Sequence, residues 1–92
     1  MKTKKELECF LTIIELQEMM IPMLFPFKKL FVRRVIRFIR NCISDMEGEL
    51  INLGELQMKI DTEIFPQILN GKLTRWQVNW LIGIMNCLSY LE

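Results

Sequence analysis

The sequence contains no alanine and no histidine. Without histidine, the chain has no Ser-His-Asp or Cys-His nucleophile system and no zinc site built on imidazole. Cys9, Cys42 and Cys87 are odd in number and lack the C-x-x-C spacing of zinc knuckles or redox motifs. Residues 71–74, Gly-Lys-Leu-Thr, have no glycine-rich phosphate loop before them. We therefore expect buried, reduced thiols, no cofactor, no metal site and no catalytic activity.

Patterns of a leader peptide or a membrane span are also missing. The start of the chain is basic, but acidic side chains interrupt the segment that a signal peptide would need to be apolar. These are Glu6, Glu8, Glu15 and Glu18. The longest uncharged run, residues 76–91, has 16 residues, fewer than the ~20 that a span requires. We expect a cytoplasmic protein, and a membrane is an unlikely partner.

Large apolar side chains are abundant instead. They make up 51% of the 92 residues and are mostly Leu, Ile, Met and Phe. The length predicts one domain over residues 1–92. A domain of this size buries only about 60–65% of the surface that its unfolded chain exposes. The excess of apolar residues predicts an interface, either in a homo-oligomer such as a dimer or with a protein partner.

The periodicity of apolar residues predicts an all-α fold, a compact bundle of four or five helices. Strand-like alternation is missing throughout. We predict helices at residues 4–20, 27–46, 49–59, 62–69 and 75–90. Capping boxes are predicted at Thr3 with Glu6 and at Thr74 with Gln77. Asp61 is predicted to be the N-cap of the helix 62–69, and Asn70-Gly71 is predicted to end that same helix.

The charge is balanced overall, at +1, but segregated along the chain. Residues 28–40 contain six basic residues and no acid, whereas residues 41–63 contain six acids and one lysine. On the predicted helix 27–46, five basic residues form a surface that we call the basic stripe: Lys29, Arg33, Arg34, Arg37 and Arg40. The apolar face predicted opposite the stripe consists of Phe31, Val35, Phe38, Ile39, Cys42, Ile43 and Met46.

Three interpretations of the basic stripe stay open. It is a solvated face, neutralised in part by the acidic segment that follows it, within the fold or across a dimer. It binds an acidic protein partner or nucleic acid, since the planar guanidinium suits carboxylate and phosphate. It lies on an anionic membrane surface. The two carboxylate pairs, Glu15 with Glu18 and Glu47 with Glu49, are expected on solvated faces.

Two apolar groups are candidates for binding a protein partner. The first is a proline-broken segment of flexible side chains, comprising Met19, Met20, Met23, Phe25 and Phe27. The second is an aromatic ridge of Trp76 and Trp80 on the last helix. Core packing is the alternative for both. The last helix is apolar on nearly all sides, which predicts a central core helix or one shared with a partner.

Two segments near the C-terminal end carry a resemblance to a known family: residues 60–72, Ile-Asp-Thr-Glu-Ile-Phe-Pro-Gln-Ile-Leu-Asn-Gly-Lys, and residues 81–88, Leu-Ile-Gly-Ile-Met-Asn-Cys-Leu. Over residues 60–88 the chain resembles phage-repressor-type helix-turn-helix domains. The resemblance implies DNA binding, usually as a dimer on a palindrome. The implied DNA contacts are Thr62, Glu63, Gln67, Asn70 and Lys72. The chain departs from the family pattern at Glu55 and Lys59, just before this stretch, and at Pro66 within it, and residues 60–71 contain no Arg or Lys.

These patterns predict a small, non-enzymatic regulatory protein that acts by protein binding. It would self-associate, clamp a partner protein, or do both. The size and the repressor-like stretch suit a phage or mobile-element regulator. The alternative is a sequence-specific DNA-binding repressor, in which residues 60–71 read bases and the basic stripe holds phosphates.

Overall fold

The computed structural model describes residues 2–20 and 26–91, which form four helices and two short strands. The helices are α1 (Lys4–Met19), α2 (Pro26–Asp45), α3 (Leu53–Leu69) and α4 (Arg75–Ser89). The strands β1 (Lys2–Thr3) and β2 (Leu50–Ile51) pair as a two-stranded sheet. The predicted all-α class is confirmed, and this small sheet is the element that periodicity did not indicate.

The described residues divide into two compact units. Residues 3–49 form one unit, and residue 2 with residues 50–91 forms the other. In the first unit α1 packs against α2, and in the second α3 packs against α4. We call these units the α1–α2 hairpin and the α3–α4 hairpin. That residues 1–92 act as one domain stays a prediction.

The α1 helix begins where its capping residues predict. The side chain of Thr3 accepts a hydrogen bond from the backbone N–H of Glu6 at 3.1 Å, and the Glu6 carboxylate accepts one from the backbone of Thr3. Both bonds satisfy backbone donors that have no partner inside the helix. From there Leu7, Leu11 and Ile14 recur on one face and are buried.

The buried face of α2 is turned from the predicted one. Ile39, Ile43 and Met46 are buried as predicted, but Val32 and Ile36 occupy the centre of the face. The other predicted members, Phe31, Val35, Phe38 and Cys42, are half-buried along one edge. Four members of the basic stripe, Lys29, Arg33, Arg37 and Arg40, therefore border the buried face, about 90° away at 100° per residue, and only Arg34 lies nearly opposite it.

One continuous helix, α3, replaces the two helices predicted at 49–59 and 62–69. It begins after Asn52, whose side-chain oxygen accepts a hydrogen bond from the N–H of Glu55 at 3.3 Å. Asp61 lies inside this helix, so its predicted N-cap role is wrong. Leu53, Leu56 and Ile60 are buried up to the predicted break, and Ile64 and Ile68 continue the same face beyond it as half-buried side chains, which favours continuing the helix.

The C-terminal end of α3 follows the predicted chemistry. Gly71 has a φ of +66°, a left-handed conformation that glycine adopts without a Cβ clash. The N–H of Gly71 donates to the carbonyl of Ile68, and the N–H of Lys72 donates to the carbonyl of Gln67, at 3.1 and 3.0 Å. This pair of bonds is a Schellman motif, which satisfies the last carbonyls of the helix. Pro66 lies inside the helix.

The α4 helix buries one face only. Its capping box at Thr74 and Gln77 forms as predicted, with bonds of 2.9 and 3.3 Å. Leu81, Ile84 and Leu88 are buried, but Ile82 is half exposed. The prediction of a helix central in a core is therefore wrong, while its sharing with a partner stays a prediction.

The three cysteines are less buried than predicted. Cys9 and Cys87 are exposed, and Cys42 is intermediate. Burial was inferred from apolar neighbours along the chain, but on a helix those neighbours point to other sides. Cys9, for example, lies on the side of α1 that faces away from Leu7 and Leu11.

Candidate functional site

Two members of the basic stripe form ion pairs with glutamates of α1. The Nε of Arg33 donates to Glu18 at 2.9 Å. Arg40 donates from Nε to Glu8 at 3.2 Å and from Nη2 to Glu15 at 2.6 Å. The stripe is thus partly neutralised within the fold, as one interpretation held. The acids come from the helix before the stripe, however, and not from the acidic segment after it.

Glu18 is a buried acid. It lies eleven residues after Leu7, on the same face of α1 as Leu11 and Ile14, and only 6% of its surface is exposed. The prediction that Glu15 and Glu18 lie on a solvated face is therefore wrong for Glu18, and Glu15 is only half exposed. The spacing of Leu7, Leu11, Ile14 and Glu18 is a signal that the sequence contains. Glu47 and Glu49 are exposed as expected.

Arg40 uses its planar fork to hold two carboxylates at once. The hydrogen bond to Glu15, followed by the charges of Glu15 and Glu8, raises the pKa of Arg40 above its ordinary value. A raised pKa favours the charged form, so the contribution of this group is present below its ordinary pKa and is lost only in strong alkali. The guanidinium therefore stays charged at every pH of biological interest.

The rest of the basic stripe faces an open cleft or solvent. Arg37 lies beside Arg33 and Arg40 in a cleft of about 480 Å³ between α1 and α2, with Glu15 and Glu18 across from it. Arg34 is exposed and Lys29 is half-buried. Within the described residues, the side chains of Arg34 and Arg37 form no ion pair. These two guanidinium groups are available to a partner.

The predicted apolar segment is exposed where the structure describes it. Met19, Met20 and Phe27 are 70%, 83% and 84% exposed. Met23 and Phe25 lie outside the described residues. Because Glu18 pairs with Arg33 and Glu8 with Arg40, α1 and α2 run antiparallel. The end of α1 and the start of α2 therefore lie at one end of the hairpin, which we call the loop end.

A second apolar face on α1 was not predicted. Cys9, Ile13, Leu16 and Met20 are all exposed, and their spacings of four, three and four residues place them on one side of the helix. This side is opposite the buried face of Leu7, Leu11 and Ile14. The spacing of this second face is present in the sequence. It was missed because the same helix also carries the apolar pattern of the buried face.

The α3–α4 hairpin contains a shallow apolar groove of about 230 Å³. Ile64, Phe65 and Ile68 line it from α3, and Leu81, Ile82 and Met85 line it from α4. At one end Gln57 donates to the carbonyl of Met85 and to the hydroxyl of Ser89. These bonds join α3 to α4 at that end of the groove.

Trp76 and Trp80 form the aromatic ridge that their spacing predicts. Their ring centroids are 6.4 Å apart and their planes differ by 17°, which is a stacked arrangement. Both side chains are half-buried. They are therefore available only in part for the partner contact predicted from the sequence.

The residues implied as DNA contacts are all exposed, but two of them bond within α3. The hydroxyl of Thr62 donates to the carbonyl of Met58 at 2.7 Å, and the amide of Gln67 donates to the carbonyl of Glu63 at 3.1 Å. Asn70 and Lys72 belong to the turn that ends α3. Because α3 is continuous, residues 62–69 are not a separate helix.

In the part of the chain that the structure describes, no helix has both the length and the apolarity required to cross a membrane. Nor do the described side chains include a group of three or more potential metal ligands.

No family model, curated protein or solved structure matches the chain.

Proposed function

We propose that this protein is a small non-enzymatic regulator that acts by binding protein, through the apolar side chains at the loop end of the α1–α2 hairpin. The observation that carries the proposal is the exposure of Met19, Met20 and Phe27 at that end. Leu16 and Leu30 extend the surface along the two helices and are also at least half exposed. The regulatory role and a phage or mobile-element origin rest on the small size of the chain and on the helix-turn-helix resemblance.

An apolar surface of this kind favours an interface. Monomeric proteins rarely expose contiguous apolar patches of more than a few hundred Å² unless the patch binds something. Methionine adapts its flexible, polarizable side chain to irregular partners. Burial of one fully exposed Phe or Met side chain stabilises a complex by about 1.5–3 kcal/mol. Met20 and Phe27 alone are therefore sufficient to make this end of the hairpin the energetic centre of a contact.

The basic stripe favours a partner with acidic groups beside its apolar ones. Phe27, Leu30 and Arg34 are spaced by three and four residues, so they lie on one side of α2. The guanidinium of Arg34, which forms no ion pair within the described residues, would meet a carboxylate at the rim of a contact centred on Phe27. Charges at a rim mainly speed encounter and reject wrong partners.

The test is capture of a partner by the full-length chain and by two matched variants. Phe27→Glu should lose the captured protein because it places a charge in the centre of the apolar surface. Leu69→Glu is the control, since Leu69 and Phe27 are both 84% exposed but lie in different hairpins. The baits would be incubated with extract of the native host, and bound proteins identified by mass spectrometry.

The same three proteins would be compared by light scattering after gel filtration, which detects self-association. A partner or an oligomer that Phe27→Glu loses and Leu69→Glu retains supports the proposal. Equal capture by all three, or a wild-type chain that is monomeric and captures no protein, contradicts it.

A further inference from the structure

We infer that the outer face of α1 is a self-complementary helix–helix interface on which a second copy of this chain docks antiparallel. The inference rests on the proposed function, because it assigns a surface and an occupant to the protein binding. We call this face the α1 seam and define it as Cys9, Ile13, Leu16 and Met20.

The spacing of the α1 seam is that of a coiled-coil contact. Its members are separated by four, three and four residues, which is the alternation of a and d positions in a heptad. All four are exposed, and Ile13 and Leu16 are each 56% exposed. The opposite face of α1 already packs against α2. The α1 helix therefore has one apolar face that is covered and one that is not.

The charges of α1 identify the occupant. Glu8, Glu15 and Glu18 are held by arginines of α2, so the acids lie on the side toward α2. The residues that flank the seam between positions 9 and 20 are uncharged: Phe10, Thr12, Gln17 and Met19. A strongly charged partner would find no opposite charge to pair with on such a face. An identical copy matches it, because no like charges meet along the contact.

The charges at the start of α1 favour the antiparallel orientation. A parallel pair would bring Lys4, Lys5 and Glu6 beside their own copies and would align the two helix dipoles. An antiparallel pair keeps these groups at opposite ends. Centred between Ile13 and Leu16, it places Ile13 against Leu16 of the second copy and Cys9 against Met20 of the second copy.

The interface is small. The four seam residues of each copy and their flanks would bury on the order of 1,000 Å² in total, at the lower limit for specific interfaces. We therefore expect a reversible dimer whose fraction rises with protein concentration. Light scattering or sedimentation velocity between about 10 μM and 1 mM spans the affinities of weak complexes.

The first test is a charge in the seam. Ile13→Glu should weaken the dimer at least about tenfold, since it puts a carboxylate into the central layer. Ile82→Glu is the matched control, because Ile82 is 50% exposed and belongs to the α3–α4 hairpin. Circular dichroism would report the helix content of both variants, and Ile13→Ser replaces Ile13→Glu if the latter loses helix. Equal dimer affinities for the Ile13 and Ile82 variants would overturn the inference.

The second test uses disulfides to determine the orientation. In the antiparallel pair the two Cys9 residues are about 16 Å apart along the axes, too far for a disulfide, which requires Cα atoms within about 7 Å. Met20→Cys, in a Cys87→Ser background, should form a Cys9-to-position-20 cross-link between copies on mild oxidation. Mass spectrometry identifies the linked peptides. Predominant Cys9–Cys9 links would overturn the antiparallel arrangement.

The two proposals fail separately. A monomer at every concentration that still captures a partner through Phe27 ends the inference and leaves the proposed function intact. A dimer that Phe27→Glu abolishes and Ile13→Glu does not affect gives the same result. Both are removed by a monomer that captures no protein, or by a dimer that neither Phe27→Glu nor Ile13→Glu weakens while all baits capture protein equally.

Discussion

Glu18 is the residue at which α1 departs from a purely apolar buried face. Its side chain is 7% exposed, while that of its partner Arg33 is 63% exposed. Burial of a carboxylate costs hydration free energy, and one ion pair with an exposed arginine offsets only part of that cost. Arg33, in contrast, lies near water and is easily hydrated when its partner is removed. The two partners therefore contribute unequally to stability.

Glu18→Leu should increase the free energy of unfolding by about 1 kcal/mol, because it replaces a buried charge with an apolar side chain of similar size. Glu15→Leu is the control. Glu15 is 42% exposed, so its carboxylate keeps much of its hydration in the folded state. Glu15→Leu should therefore lower the free energy of unfolding by up to about 1 kcal/mol. Urea unfolding at equilibrium measures both. A Glu18→Leu variant less stable than Glu15→Leu would show that the ion pair is net stabilising.

At the scale of elements, α3 offers a test in which two similar substitutions have opposite signs. Asn52 caps the helix, so Asn52→Ala should lower the free energy of unfolding by about 1 kcal/mol. Asp61 lies in the interior, where alanine is the better helix former, so Asp61→Ala should stabilise the protein by about 0.5 kcal/mol. Urea unfolding of both variants gives the signs directly.

A loss of stability in Asp61→Ala as large as that in Asn52→Ala would mean that Asp61 begins a helix. The chain would then have a break near residue 60, as helix-turn-helix domains do. The structure places a continuous helix there, so the expected gain separates the two arrangements without any DNA.

Helix ends were predictable where the signal was local. Thr3 and Thr74 each lie three residues before the side chain that completes a capping box, and both helices begin there. The boundary near Asp61 was wrong because a capping residue also fits a helix interior when its neighbours supply a continuous buried face. Tertiary packing of Leu56 and Ile60 overrode the local preference.

The rotation of α2 was not determined by its sequence. Apolar residues cover about 160° of this helix, from Phe38 on one edge to Ile36 near the other, so several rotations bury a similar area. The structure buries the β-branched edge and places the arginines within reach of α1. Neither the rotation nor the identity of the acids can be read from one helix alone.

The candidate site was predicted in part. Met19, Met20 and Phe27 are exposed, in accordance with a proline-broken segment that a short hairpin cannot cover. The basic stripe forms on α2 as its spacing indicates. The glutamates that pair with it were missed because a hairpin brings the preceding helix, not the following segment, against the stripe.

At the scale of the whole molecule, the charge balance limits binding to nucleic acid. The net charge is +1, and Arg33 and Arg40 are already paired with glutamates. We expect at most weak binding to duplex DNA at about 50 mM salt and none at about 200 mM, since few phosphates are neutralised. Fluorescence anisotropy with a labelled duplex measures this. Tight binding that falls steeply with salt would instead support the repressor alternative.

The four-residue repeat of the basic stripe has a consequence for the alignment of α1 and α2. If α2 slides along α1 by one turn, about 5.4 Å, Arg37 replaces Arg33 opposite Glu18, and both arginines already line the same cleft. The buried carboxylate would be paired in either alignment. The pairing of Glu18 therefore does not by itself fix how far one helix is shifted along the other. That distance depends on how Val32, Ile36 and Ile39 pack and on the bond from Arg40 to Glu8, which the shift would break.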